Sequence, residues 1–151
     1  MLDIGAGRGV ITAHLIAAGA QVMAFELHPQ RAEHLRARFG GGVVRVVRAD
    51  ATDLRLPRRP FRVVANPPFA ITTALLRRLV APGSRLVRAD LVVPFHVARR
   101  WVEGPAPGER RWRTVFETRV GARVPSHAFS PPGPPSAVLV IERWHEQGPV
   151  R

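Results

Sequence analysis

Two periods of apolar residues alternate along this chain. Short runs rich in Val, Leu, Ile and Phe read as buried strands. Stretches in which apolar residues return every three or four positions read as helices. Residues 1–4 predict a strand and 10–18 a helix stopped by Gly19. A second strand follows over 21–26. His28-Pro29 opens the next helix, with Ala32, Leu35 and Phe39 on one face and Arg31, Arg36 and Arg38 off it. Gly40-Gly41-Gly42 ends that helix before a third strand over 43–49. A Pro- and Arg-rich loop over 54–60 leads to a fourth strand, 61–65, and a helix, 71–79. After Pro82-Gly83 come a fifth strand (85–93), a short helix (94–102) and a loop (104–108). The alternating segment 113–124 and the run 137–142 predict the last two strands, and 147–151 reads as a frayed tail. Strand and helix in alternation predict an α/β fold, a mostly parallel sheet of seven strands with helices on both faces and an antiparallel end.

Composition narrows the class. The 151 residues suffice for one domain with a core, and 46% hydrophobic content fits a globular chain. Neither repeats nor a linker divide it, so 1–151 is expected to be a single domain. The absence of cysteine excludes disulfides and thiolate metal sites. His28 and His34 have no ligand partners at metal spacing and read as surface residues, so no metal is expected. No run is long enough to span a membrane, and the start lacks the regions of a signal peptide. A cytoplasmic monomer without membrane contact is the expectation. Net charge is +12, with Arg supplying all 23 basic residues against 11 acidic ones. Codon bias toward GC explains Arg in place of Lys, but not a twofold excess of base over acid. That excess points to a polyanionic partner, most simply nucleic acid.

The candidate chemistry sits where the strands end, the usual place for ligands in open α/β sheets. Gly5-Ala6-Gly7-Arg8-Gly9 joins the first strand to the first helix, and its glycines allow close backbone approach to a ligand. Glu26 ends the second strand, 21 residues after Gly5, where a carboxylate can accept from both hydroxyls of a ribose. An ordinary strand-end acid is the plainer alternative, and position and spacing together favour the ribose role. Val10 stands where a dinucleotide fingerprint has Gly or Ala, which favours a nucleoside without pyrophosphate, such as S-adenosylmethionine. Asp50 and Ala51 follow the third strand. They can meet an adenine amine and ring nitrogen, or Asp50 can cap a turn. Asn66-Pro67-Pro68-Phe69 ends the fourth strand. The Asn66 side-chain oxygen, the Pro67 carbonyl and the flat Phe69 ring suit a planar base with an exocyclic amine; a stiff turn capping the next helix is the plainer alternative. Trp101, Trp112 and Trp144 read as packing residues.

In order, these strand ends carry a glycine loop, two acids and Asn-Pro-Pro-Phe, the order of Rossmann-like methyltransferases acting on amino nitrogens. Gly5-Ala6-Gly7-Arg8-Gly9, Glu26-Leu27-His28-Pro29, Ala49-Asp50, Asn66 through Thr73, Val124-Pro125 and Phe129-Ser130-Pro131-Pro132 resemble the Erm family, rRNA adenine N6-methyltransferases related to the KsgA dimethyltransferases. The resemblance covers nearly the whole chain. It implies methyl transfer from S-adenosylmethionine to an adenine of 23S rRNA, giving resistance to macrolide, lincosamide and streptogramin B antibiotics. It assigns Asn66, Pro67, Phe69 and Phe129 to catalysis, with Phe129 stacking on the target base from the side opposite Phe69. A loop aromatic covering the core is the other reading of Phe129. Asp3, Gly5, Ala6, Gly7, Glu26, Leu27, Asp50, Ala51 and Asn66 are assigned to the cofactor. The family also carries an upstream segment over the cofactor and a C-terminal helical RNA-binding domain. Neither falls within these residues, so the chain is expected to be truncated at both ends. Rival readings are a small-subunit rRNA dimethyltransferase, an inactive RNA-binding remnant, and a DNA adenine or protein glutamine methyltransferase, although the last group more often has Tyr after Asn-Pro-Pro.

Overall fold

The computed structural model describes residues 1–144; the tail expected over 147–151 lies outside them. The strands are β1 (Leu2–Ile4), β2 (Val22–Glu26), β3 (Val44–Arg48), β4 (Phe61–Ala65), β5 (Leu86–Pro94), β6 (Phe116–Val124) and β7 (Ser136–Arg143). They form one sheet in the order β3-β2-β1-β4-β5-β7-β6. The first five strands run parallel, and β7 lies antiparallel to both β5 and β6. The expected seven-stranded sheet with an antiparallel end is therefore present.

The helices are α1 (Val10–Ala17), α2 (Pro29–Arg38), α3 (Thr72–Leu79), α4 (Phe95–Glu103) and α5 (Glu109–Trp112). From β1 to β3 the chain steps one way across the sheet, and from β4 to β5 it steps the other way. Right-handed crossovers then put α1 and α2 on one face, and α3 and α4 on the opposite face. The two faces carry separate apolar clusters. Leu75 and Leu79 of α3 and Trp101 of α4 pack with Ile4, Val63 and Leu139 of the sheet in the larger one. Ala6, Ala24 and Leu35 form the smaller, with Phe39 against it. Each fully buried Leu or Val side chain contributes about 1.5–3 kcal/mol, so the larger cluster supplies most of the stability.

Packing on the smaller face gives the glycine loop a second role. Gly9 caps α1 with φ 81°. A Cβ there would lie 2.5 Å from Phe39 Cε2 and 2.7 Å from Leu35 Cδ2. Gly9 thus lets α2 close onto the start of α1, a packing role that loop spacing alone does not reveal. Gly9→Ala should destabilise the chain by about 2–5 kcal/mol, combining the left-handed backbone of a non-glycine residue with overpacking. Urea unfolding would register this as a lower midpoint; an unchanged midpoint contradicts the packing role.

The structure departs from the sequence expectation near residue 110. The predicted sixth strand begins at Phe116 instead of 113, because α5 occupies Glu109–Trp112. Gly108 turns the chain at φ 72°, and a Glu109 carboxylate oxygen accepts the Ala106 N–H at 2.9 Å. Trp112 then stacks on Trp101, with centroids 5.1 Å apart. Both are core residues, as expected. Trp144 is not: it is 52% exposed and held by its indole N–H, which donates to the Arg113 carbonyl at 3.2 Å.

Candidate active site

β1 and β4 are neighbours, and the chain leaves them toward opposite edges of the sheet. A crevice opens at such a switch point, outside the carboxyl ends of the strands. The glycine loop follows β1 and Asn66 follows β4, so the topology sets the two motifs side by side. A Cβ on Gly5 would stand 3.4 Å from Pro68 Cδ and 3.7 Å from Pro67 Cα. The loop is tied to the next strand as well: the N–H groups of Gly5 and Ala6 both donate to the Phe25 carbonyl at 2.9 Å.

Glu26 is held from two sides. One carboxylate oxygen accepts the Gly7 N–H at 2.8 Å and the other accepts the His28 N–H at 2.9 Å. Its orientation is therefore fixed before any ligand arrives, and each oxygen keeps acceptor capacity. Asp50 caps a turn, the plainer of its two sequence readings. Its Oδ1 accepts the Thr52 N–H at 2.8 Å and the Thr52 hydroxyl at 2.7 Å, capping the turn Ala51–Asp53. Those bonds, the backbone one foremost, hold its carboxyl below the usual range. Oδ2 is left without a hydrogen bond among the described residues.

These groups meet in one cleft of about 460 Å³. Gly5, Gly7, Glu26, Leu27, Asp50 and Ala51 form one part of its wall, and Asn66, Pro67, Phe69 and Phe129 the other. Pro67 is buried while Asn66 is exposed, and the Asn66 carboxamide makes no hydrogen bond among the described residues. Its oxygen is free to accept from a ligand.

Two expected cofactor residues do not line the cleft. Asp3 is fully buried and accepts the Thr12 hydroxyl at 2.6 Å, bracing the start of α1. Burial pushes its carboxyl up from the ordinary value, and the Thr12 hydrogen bonds oppose this. Its Oδ1 has no partner among the described residues. Ala6 turns its methyl into the smaller core beside Ala24 and Leu35. Phe129 also departs from expectation. Its ring does not stand across a slot from Phe69; the rings touch edge to face, with centroids 5.9 Å apart at 79°. Two rings that grip a base must lie parallel with the base between them, so no such slot is preformed.

The cleft includes residues that sequence reasoning did not select, among them Phe25, Arg31, Thr52 and Ile71. Arg31 carried a signal. It lies off the apolar face of α2, and the first turn of α2 follows β2 so closely that this polar face looks back at the strand ends. Among the described residues no cluster of three or more His, Cys, Asp or Glu is placed to hold a metal ion. No described helix is long and apolar enough to cross a membrane.

Comparison with known proteins supplies an independent line. The family model described as ribosomal RNA adenine dimethylase matches residues 1–150. The mycinamicin-resistance protein MyrB of Micromonospora griseorubida is 40% identical over 147 residues, covering 95% of this chain and 46% of that protein. A ribosomal RNA small subunit methyltransferase A of Synechococcus sp. is 33% identical over 162 residues, covering all of this chain and 57% of its own. Among solved structures, the crystal structure of the 23S rRNA methyltransferase ErmE superposes with a TM-score of 0.86 at 27% identity, over 96% of this chain and 61% of the other. The chain thus spans about half the length of the curated relatives it matches.

Proposed function

The chain belongs to the ribosomal RNA adenine dimethylase family, and from that membership we propose that its cleft methylates the exocyclic N6 amine of an rRNA adenine. One observation carries this reading. A pinned carboxylate, Glu26, and an acceptor-and-ring motif, Asn66-Pro67-Pro68-Phe69, share a single cleft of about 460 Å³. That volume suits a nucleoside-sized ligand with a second base beside it.

S-adenosylmethionine fits the donor half of the cleft and, when bound, supplies the methyl group. Glu26 accepts from its ribose hydroxyls, and Asp50 Oδ2 with the Ala51 N–H meets its adenine edge. The Gly5–Gly7 backbone leaves room for its chain. Arg31 stands at the cleft wall as a positive charge toward anionic groups entering there.

On the acceptor side the adenine amine is a poor nucleophile, because its lone pair is delocalised into the ring. The Asn66 side-chain oxygen and the Pro67 carbonyl each accept one amine hydrogen. Holding both hydrogens favours a pyramidal nitrogen and frees the lone pair. As the N–C bond forms, these acceptors would also stabilise the positive charge on nitrogen until one of its hydrogens leaves to water as a proton. Phe69 offers its face to the extruded base and fixes it in line. The chain needs no covalent nucleophile for these steps.

The substrate proposed first is 23S rRNA, with macrolide-type resistance as the outcome, since a relative at 40% identity is named for resistance to mycinamicin. The small-subunit relative at 33% identity supports a second reading, modification of small-subunit rRNA. Incubating each rRNA with the chain and isotopically labelled S-adenosylmethionine, then analysing its nucleosides by mass spectrometry, separates the two. Labelled N6-methylated adenosine in 23S rRNA supports the first reading, and label confined to small-subunit rRNA supports the second.

The arginine surplus is assigned to the RNA backbone. Affinity for an rRNA fragment should fall by roughly a hundredfold or more between about 50 and 200 mM salt, as bound arginines release counterions. Filter binding or anisotropy across that range would measure the slope, and a flat response refutes the assignment.

A further inference from the structure

The ring of Phe129 rests against a residue that has no side chain. A Cβ on Gly133 would lie 3.2 Å from Phe129 Cδ2, 3.4 Å from Cγ and 3.7 Å from Cβ. The first of these is closer than ordinary van der Waals contact, so a side chain at 133 makes the ring give by a few tenths of an ångström. The loop itself has little freedom to give. Gly133 and Phe129 both donate their N–H groups to the Ser126 carbonyl, at 3.2 and 3.3 Å, folding the segment into a closed loop. Pro131, Pro132, Pro134 and Pro135 flank Gly133 and lock the backbone dihedrals around it. The far end is anchored: the Pro135 carbonyl accepts the Phe95 N–H at 2.9 Å, and the Pro134 carbonyl accepts the Ser136 hydroxyl at 2.9 Å. From this seat the Phe129 ring meets Phe69 edge to face, with centroids 5.9 Å apart.

We infer that Gly133 is a positioning residue for the target base: its missing side chain seats the Phe129 ring against the loop, and that seat sets where Phe129 stands relative to the face of Phe69. The inference rests on the proposed acceptor side of the cleft, but the seat itself is a property of this chain. In this state Phe129 lines the cleft with its ring edge to face against Phe69. A methyl group at 133 shifts the ring by a few tenths of an ångström against the stiff loop, and its nearest neighbours include none of Glu26, Asp50 and the glycine loop. The effect belongs on RNA and not on the cofactor, and it acts only through Phe129.

The test is a double-mutant cycle on the whole chain with 23S rRNA as substrate. Gly133→Ala should lower kcat/KM for RNA at least about fivefold, the low end of what one stacked base contributes, chiefly through KM. Affinity for S-adenosylhomocysteine, measured by calorimetry, should stay within about twofold, a change too small to register as a lost hydrogen bond. In a Phe129→Ala background the same Gly133→Ala change should do almost nothing, because the ring it displaces is gone. An equal loss in both backgrounds, or no loss in either, overturns the inference; general damage to the loop gives the equal loss. A second readout stands apart from activity. In the chain labelled with 13C-Phe, nuclear Overhauser contacts between the Phe69 and Phe129 rings should be present in the parent and lost or weakened in Gly133→Ala. If the parent fails to methylate either rRNA, the proposed function fails, and the ring contacts alone decide the role of Gly133. Unaltered contacts in Gly133→Ala overturn it.

Discussion

Replacing Asn66 by Ala should lower turnover at saturating cofactor by about 10²–10³-fold, the range seen when one hydrogen-bonding group aimed at developing charge is removed. RNA affinity should fall much less. In the proposed mechanism the Asn66 oxygen accepts most strongly as the amine nitrogen pyramidalises, and an interaction that grows toward the transition state appears in the rate, not in ground-state binding. The geometry favours a clean test. Asn66 is exposed and makes no side-chain hydrogen bond among the described residues, so truncation leaves no buried group unpaired. The neighbouring Pro67 is buried and keeps the turn in place. Single-turnover methylation with parallel cofactor titration separates chemistry from binding. An Asn66→Ala chain that methylates as fast as the parent reduces Asn-Pro-Pro-Phe to a turn.

Glu26→Ala should weaken S-adenosylmethionine binding by about 1–3 kcal/mol, the value of hydrogen bonds to a charged group. The carboxylate does two things at once. It faces the cleft, and its oxygens accept the Gly7 and His28 N–H groups at 2.8 and 2.9 Å. Removing it takes away the acceptor and loosens the glycine loop around the same ligand. Glu26→Gln should fall between parent and Ala, because a carboxamide nitrogen donates and cannot satisfy the N–H it faces. Asp50→Ala should cost less than Glu26→Ala, since one Asp50 oxygen is occupied by Thr52 and the residue is exposed. Isothermal calorimetry gives all three values; unchanged affinity in Glu26→Ala removes the residue from the cofactor site.

Much of the fold was readable because most strands read as short apolar runs, and β6 as an alternating one, with turn residues between them. The strand-end motifs line one cleft, since a parallel sheet gathers strand ends at one edge and the order of strands decides which ends touch. What stayed hidden depends on packing across the chain. Glu109–Trp112 has no apolar period of its own and becomes a helix because Trp112 finds Trp101. Gly9 looks like a ligand-contacting glycine until Phe39 and Leu35 come to rest against it. Asp3 belongs to the same strand-end set as Glu26, yet strand alternation turns its side chain to Thr12 beneath the loop. The resemblance sets Phe69 and Phe129 on opposite sides of a base, whereas the rings meet edge to face, with Phe129 packed on Gly133, whose spacing carries no periodic signal.

The central claim is that this cleft places a methyl group on adenine N6 under the control of Asn66. Nucleoside mass spectrometry of rRNA incubated with the chain and isotopically labelled S-adenosylmethionine tests it most directly. The account predicts labelled N6-methyladenosine or N6,N6-dimethyladenosine from the parent and a near-complete loss of both with Asn66→Ala. Label on any other nucleoside or position, or equal yields from the parent and Asn66→Ala, would contradict it.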